Sequence, residues 1–190
     1  MILFINACVR EESRTRKLAE YLLDRLYQKE REPVKELRLE EVAFPKADAE
    51  FLRTRDRLLA ESRFDDPLFD LARQFAAADQ IVIAAPFWDL SFPAALKQYL
   101  EQINVVGITF RYTEEGIPVG LCRAKKLDYV MTAGGPVYSD AYGYGYVKAL
   151  AETFYGIPEI SLIKAENLDI IGADVPAILA EAEAQIRGIQ

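Results

Sequence analysis

The sequence predicts an α/β domain built on a five-stranded, doubly wound parallel sheet of order 2-1-3-4-5, with helices on both faces. Three observations predict it. Short continuous apolar runs alternate with amphipathic helical patterns five times along 190 residues. The length suits one domain with a substantial core. No G-x-G-x-x-G follows the first apolar run, which weakens the dinucleotide-binding strand order and leaves the other common doubly wound one.

The elements justify that reading in turn. Ile2 to Ala7 is an apolar run of the kind a buried parallel strand requires. A helical pattern from about Arg14 to Glu30 follows, with Leu18, Leu22 and Leu26 in a stripe beside Ala19 and Leu23. Pro33 closes it, and Val34 to Leu39 reads as the second strand. Residues 40 to 63 are charged and irregular, with Phe44, Phe51, Leu52 and Phe64 as anchors, and read as a surface insertion. Asp66-Pro67 starts a helix with Leu68, Leu71, Ala72, Phe75 and Ala76 on one face. Gln80 to Ala85 is the third strand, and Pro93 opens a helix carrying Leu96, Leu100 and Ile103. A hairpin-like excursion, Gly107 to Leu121, has its turn at Glu115-Gly116. Leu127 to Thr132 is the fourth strand. A Gly- and Tyr-rich loop then leads into a helix with Val147, Leu150, Ala151 and Phe154, and Ile160 to Lys164 is the fifth strand. Asp174 caps a last helix containing Ile178, Leu179, Ala182 and Ile186. No linker or repeat divides the chain, so 1–190 reads as a single domain.

Composition narrows the function classes. A net charge of −7 disfavours nucleic acid, whose phosphates it repels. The chain has no histidine, which removes Ser-His and Cys-His nucleophilic catalysis and every His-containing metal site. Two distant cysteines, Cys8 and Cys122, form no metal spacing, so no metal is expected, and they read as cytoplasmic thiols. No apolar run reaches the roughly 20 residues of a membrane span. Met1-Ile-Leu-Phe-Ile enters a strand directly, without a cleavable leader, which points to the cytoplasm.

Three loops leave the carboxyl ends of strands one, three and four, where sheets of this class bind ligands. In the first, Asn6 to Thr15, Ser13 and Thr15 precede a strong helix. Hydroxyls and free N–H groups at a helix N-terminus suit a phosphate monoester, with Arg14 adding charge, although Ser13 could serve as a helix cap alone. The second, Ala85-Pro86-Phe87-Trp88-Asp89-Leu90-Ser91-Phe92-Pro93, could floor a planar stacking ligand or plug the core with its aromatics. In the third, Thr132-Ala133-Gly134-Gly135-Pro136, paired glycines permit close backbone approach to a ligand, or an ordinary turn. Tyr138, Tyr142, Tyr144 and Tyr146 follow, as an aromatic lid or a partner surface. Phe110, Arg111 and Tyr112 lie on the excursion, which by itself reads as a small ribbon at the sheet edge.

Several stretches together resemble the FMN-dependent NADH:azoreductase and NAD(P)H:quinone reductase family, which is flavodoxin-like. They are Pro86-Phe87-Trp88-Asp89-Leu90-Ser91 with Pro93-Ala-Ala-Leu-Lys97-Gln-Tyr99, the most specific run Gly107 to Gly116, the Thr132-Ala133-Gly134-Gly135 loop, and Lys164-Ala-Glu166-Asn-Leu168. The resemblance implies one non-covalent FMN per subunit, NAD(P)H as co-substrate, a small aromatic quinone-type or azo-type acceptor, and a homodimer with its sites at the interface. It puts Ser13 and Thr15 on the phosphate, with Asn6 near it. It puts Phe87 to Leu90 along the isoalloxazine, Gly134 and Gly135 under its pyrimidine side, and Tyr112 toward the flavin of the other subunit. Two departures stand out. Asp89 occupies a position where members often carry Asn, and Ala133 replaces a larger residue. Pro86, Thr132 and Tyr138 complete the expected cofactor contacts, and Trp88, Phe110 and Tyr112 the acceptor pocket. The expected reaction moves two electrons by a ping-pong sequence, with the flavin and no side-chain acid or base carrying the chemistry. Two rival readings are an FMN-binding electron carrier or regulatory subunit, and a hydrolase. The absence of histidine and of a G-x-S-x-G elbow gives the hydrolase little support.

Overall fold

The computed structural model describes residues 1–188. Its main sheet comprises β1 (Ile2–Asn6), β2 (Val34–Arg38), β3 (Gln80–Ala84), β6 (Lys126–Thr132) and β7 (Glu159–Ala165). A separate antiparallel hairpin supplies β4 (Phe110–Tyr112) and β5 (Pro118–Gly120). The sheet order is β2-β1-β3-β6-β7, parallel throughout, which is 2-1-3-4-5 once the hairpin strands are set aside. This is the expected flavodoxin-like order. The core strands β1 and β3 are buried along their whole length, as a sheet covered on both faces demands. β2 forms one edge, and Val34, Lys35 and Glu36 there are exposed.

Side-chain alternation sends each strand's residues to two cores. On one face, Phe4, Val82, Ala84, Val130 and Ile163 pack under α1 (Arg14–Glu30) and α6 (Val175–Gly188). On the other, Leu3, Ile5, Ile81, Ile83 and Met131 pack under α3 (Asp70–Ala77), α4 (Ala94–Ile103) and α5 (Tyr144–Leu150). α1 occupies the span its leucine stripe predicts. Asp66 caps a short 3₁₀ turn at Pro67–Phe69 before α3 begins, and Phe69 belongs to the core beside Ala72 and Phe75.

One expectation changes. Residues 49–60 form a helix, α2 (Ala49–Ala60), capped by Asp48, whose carboxylate accepts from the N–H groups of Glu50 and Phe51. Only Leu58 of this helix is buried, so its apolar stripe is too thin to stand out from its charges. The excursion is the expected hairpin. Its turn closes through Gly116, at φ 79°, whose N–H donates to Thr113 O at 3.0 Å. The hairpin docks on a wide π-type turn, Ala151–Tyr155, that ends α5. Phe110 stacks on Phe154 with ring centroids 4.4 Å apart.

Candidate functional site

Asn6 ends β1 and turns the chain. Its Nδ2 donates to Glu36 Oε1 at 2.8 Å, and its Oδ1 accepts from Cys8 N at 2.9 Å. Ser13 then caps α1, its Oγ accepting from Arg16 N at 3.2 Å. Thr15 Oγ1 lies 2.7 Å from Thr132 Oγ1, and both residues are buried, so the hydroxyls tie the start of α1 to the end of β6. Arg14 N and Thr15 N find no acceptor among the described residues, and the first turn carries no acidic side chain. The head of a 17-residue helix therefore presents free N–H groups and the positive end of its dipole.

Beyond β3 the chain stays beside β6, with Phe87 N donating to Thr132 O at 3.0 Å. Trp88 and Ser91 then exchange hydrogen bonds in both directions, at 3.1 and 2.8 Å. The two residues between them, Asp89 and Leu90, both lie in the left-handed region, at φ 51° and 64°. A two-residue reversal of this hand ordinarily takes glycine, asparagine or aspartate, so Asp89 suits it, while Leu90 held there costs about 1–2 kcal/mol. The reversal leaves Asp89 N and Leu90 N without acceptors among the described residues.

Gly134 and Gly135 follow β6, and their N–H groups also lack acceptors among the described residues. The segment after β7 lies against them, with Asp169 N donating to Gly134 O at 2.8 Å. A Cβ on Gly134 would stand 2.4 Å from Asp169 Oδ2, so a larger residue there would push the Asp169 side chain aside. The Asp169 carboxylate in turn pairs with Arg14 Nη1 at 2.8 Å, closing a ring of loops.

These loops enclose a cavity of about 390 Å³ at the carboxyl ends of the strands. Of the residues expected to bind a cofactor, Ser13, Arg14, Thr15, Pro86, Phe87, Trp88, Thr132, Ala133 and Gly134 line it. Asp89, Leu90 and Gly135 sit next to lining residues without lining it themselves. Asn6 lies beneath the loop, its side chain committed to Glu36 and Cys8. Tyr138 is 88% exposed and outside the lining. Of the three expected acceptor-pocket residues, Trp88 lines the cavity. Phe110 is buried against Phe154, and Tyr112 stands half-exposed on the hairpin with its ring edge-on to Phe110 at 5.5 Å.

Cys8, Val9, Arg10 and Glu12, within the first expected loop, Leu168, at the end of a matched stretch, and Asp169 complete the lining, though the sequence reading singles out none of them as a site residue. The helix-start signal at Ser13 could have drawn in the residues just before it. Nothing local pointed to Asp169. Burial pushes the Cys8 thiol up to about 11, so it stays protonated and is no nucleophile at neutral pH. A hydrogen bond from Lys17 holds the Glu12 carboxyl below its ordinary value. Among the described residues, no group of Cys, Asp and Glu could hold a metal ion.

A larger hollow of about 620 Å³ opens at the amino-terminal ends of the strands, beside the ends of α1 and α6. Its charges are of both signs and several pair with one another or with neighbours. Asp79 holds the chain's amino group and Arg123, and Lys126 lies 3.5 Å from Asp128. Among the described residues, three pairs of unbonded N–H groups, at Arg14–Thr15, Asp89–Leu90 and Gly134–Gly135, belong to the loops around the smaller cavity, and of these residues Arg14, Thr15 and Gly134 line it. That donor set suits one ligand with an anionic end and a flat, acceptor-rich edge.

Comparison with known proteins agrees with this geometry. A family model described as flavodoxin-like fold matches residues 1–189. The FMN-dependent NADH:quinone oxidoreductase of Clostridium beijerinckii is 39% identical over 190 residues, covering 95% of this chain and 93% of the relative. The protein of the same description from Coprothermobacter proteolyticus is 38% identical over 182 residues, covering 90% and 88%. Among solved structures, the azoreductase of Bacillus anthracis superposes with a TM-score of 0.86 at 25% identity, covering 99% of this chain and 97% of that one.

Proposed function

We infer the activity from one premise: the chain belongs to the flavodoxin-like family whose members include FMN-dependent NADH:quinone oxidoreductases. It is an FMN-dependent oxidoreductase that passes electrons from NAD(P)H to quinone-type or azo-type acceptors. The observation that supports the site assignment is the set of unbonded N–H groups on the loops around the cavity, which suits a ligand with a phosphate at one end and a flat, acceptor-rich ring. The Arg14 and Thr15 amides, Ser13 and the α1 dipole would hold the phosphate. The Asp89, Leu90, Gly134 and Gly135 amides would meet the polar edges of the ring, and Pro86 to Trp88 would wall its flat side. When bound, FMN supplies the redox chemistry, taking up and returning the electrons.

The chain's own residues bind and orient. The Thr15–Thr132 hydroxyl pair locks the helix start to β6, so the phosphate donors and the Gly134–Gly135 amides keep one spacing. The reversal at Asp89-Leu90 leaves two amides unbonded at a fixed place beside Trp88 among the described residues. Cys8 stays a thiol at the cavity wall and takes no part in group transfer. Donor and acceptor use the same Trp88-walled opening in turn. Double-reciprocal plots with NADH and a simple benzoquinone are therefore expected to be parallel, as a ping-pong sequence requires. Intersecting lines would show two separate sites. An electron carrier would take up FMN yet oxidise NADH only in the presence of a partner protein.

A homodimer fits the hairpin side of the molecule, where Val106, Tyr112, Ile117 and Leu121 are exposed close together in sequence. Sedimentation at micromolar concentration should give twice the 21.5 kDa chain mass, and a species at the chain mass alone would remove the dimer. No described helix is long and apolar enough to cross a membrane. The unpaired thiols Cys8 and Cys122 suit a reducing cytoplasm.

A further inference from the structure

Four charged side chains line the cavity, and three are already neutralised. Glu12 pairs with Lys17, and Arg14 with Asp169 at 2.8 Å. The fourth is Arg10. Its guanidinium lies 5.8 Å from the ring centroid of Trp88, the chain's only tryptophan. It makes no hydrogen bond and meets no carboxylate within 4 Å among the described residues. An unpaired guanidinium thus stands over the aromatic wall of the opening. At the helix start, Ser13 and the α1 amides already provide for a phosphate without it. The chain as a whole carries −7, so this is a local exception that would offset the general repulsion of anions.

We propose that Arg10, held over Trp88, is a specificity-determining residue that favours electron acceptors bearing an anionic group, a sulfonate or carboxylate, on their aromatic ring. This rests on the oxidoreductase reading above. Trp88 would pack against the acceptor ring, and the guanidinium fork would donate to the anionic oxygens beside it. Arg10 is exposed, so the preference is modest and falls with salt.

The test compares a neutral naphthoquinone with the same ring carrying a sulfonate, using the FMN-loaded wild type, Arg10→Gln and Arg10→Lys. The ratio of kcat/KM for the sulfonate over the neutral quinone is expected to fall about tenfold in Arg10→Gln, within the range for one charge-assisted hydrogen bond. Arg10→Lys should give an intermediate ratio, since it keeps the charge and loses the fork. Redox-inert naphthalene sulfonate, titrated calorimetrically, should bind about tenfold more weakly to Arg10→Gln. An unchanged ratio together with unchanged sulfonate binding overturns the proposal. So does a selective loss of FMN over riboflavin affinity, which would assign Arg10 to the cofactor phosphate. A selective rise in KM for NADPH over NADH would assign it to the donor and overturn the proposal equally. Failure of the wild type to turn over the neutral quinone would strike the oxidoreductase reading instead, and the calorimetric arm would still report on Arg10.

Discussion

Replacing Ser13 and Thr15 together by alanine is expected to weaken FMN binding by about 2–4 kcal/mol, counting about 1–2 for each hydrogen bond to a charged group. The structure refines what is lost. Ser13 Oγ caps Arg16 N, and Thr15 Oγ1 is joined to Thr132 Oγ1 at 2.7 Å. The double variant therefore removes phosphate contacts and also slackens the frame that aims the free amides of Arg14 and Thr15. Loss of the cap alone costs about 1 kcal/mol of helix stability, readable as a lower unfolding midpoint of the apoprotein. Fluorescence titration of apoprotein with FMN and with riboflavin separates the two effects. Riboflavin lacks the phosphate and should lose much less affinity than FMN. Equal losses for both would mean that the helix start shapes the pocket without holding a phosphate.

Gly120→Ala should destabilise the fold by about 3 kcal/mol, at the upper end of overpacking costs. A Cβ there would stand 2.3 Å from Gly156 N and Tyr155 C, and 2.4 Å from Tyr155 O. All three atoms are backbone, so no rotamer change relieves the clash. Either β5 or the π-type turn must move, and the contact that holds the hairpin down opens with it. Urea denaturation of the apoprotein reads the cost, and an unchanged midpoint would show that the hairpin is not clamped at this point. FMN affinity should change less than stability, because the cavity loops lie elsewhere in the chain. Sedimentation should shift toward the single chain if the hairpin forms the dimer contact.

The features legible in the sequence are those encoded by neighbours along the chain. Apolar runs gave the central strands, the leucine stripe gave α1 to the residue, and Glu115-Gly116 gave the hairpin turn. The helix-start and glycine-pair signals led to Ser13, Thr15 and Gly134, which meet in one cavity. Three kinds of feature stayed hidden. α2 buries only Leu58, so its pattern resembles a charged loop. The reversal at Asp89-Leu90 adopts left-handed backbone without glycine, with Asp89 its one local cue. Asp169 and Arg10 enter the site through contacts across the fold, Asp169 to Arg14 and Arg10 to Trp88. Such contacts depend on where distant loops are set down, which short-range spacing does not carry. Phe110, which the resemblance puts at an acceptor pocket, is buried and stacked on Phe154 within the single chain.

The outer strand β2 bears on how copies of this molecule can meet. An open edge offers a row of unpaired backbone groups, the template on which sheets extend from chain to chain and fibres begin. Here the edge reads Val34-Lys35-Glu36-Leu37-Arg38, with Lys35 and Glu36 exposed and Arg38 held by Glu40 and Glu41. An incoming strand would have to bury or displace these charges before its first backbone bond formed. Ribbon-like polymerisation is thus discouraged on this side.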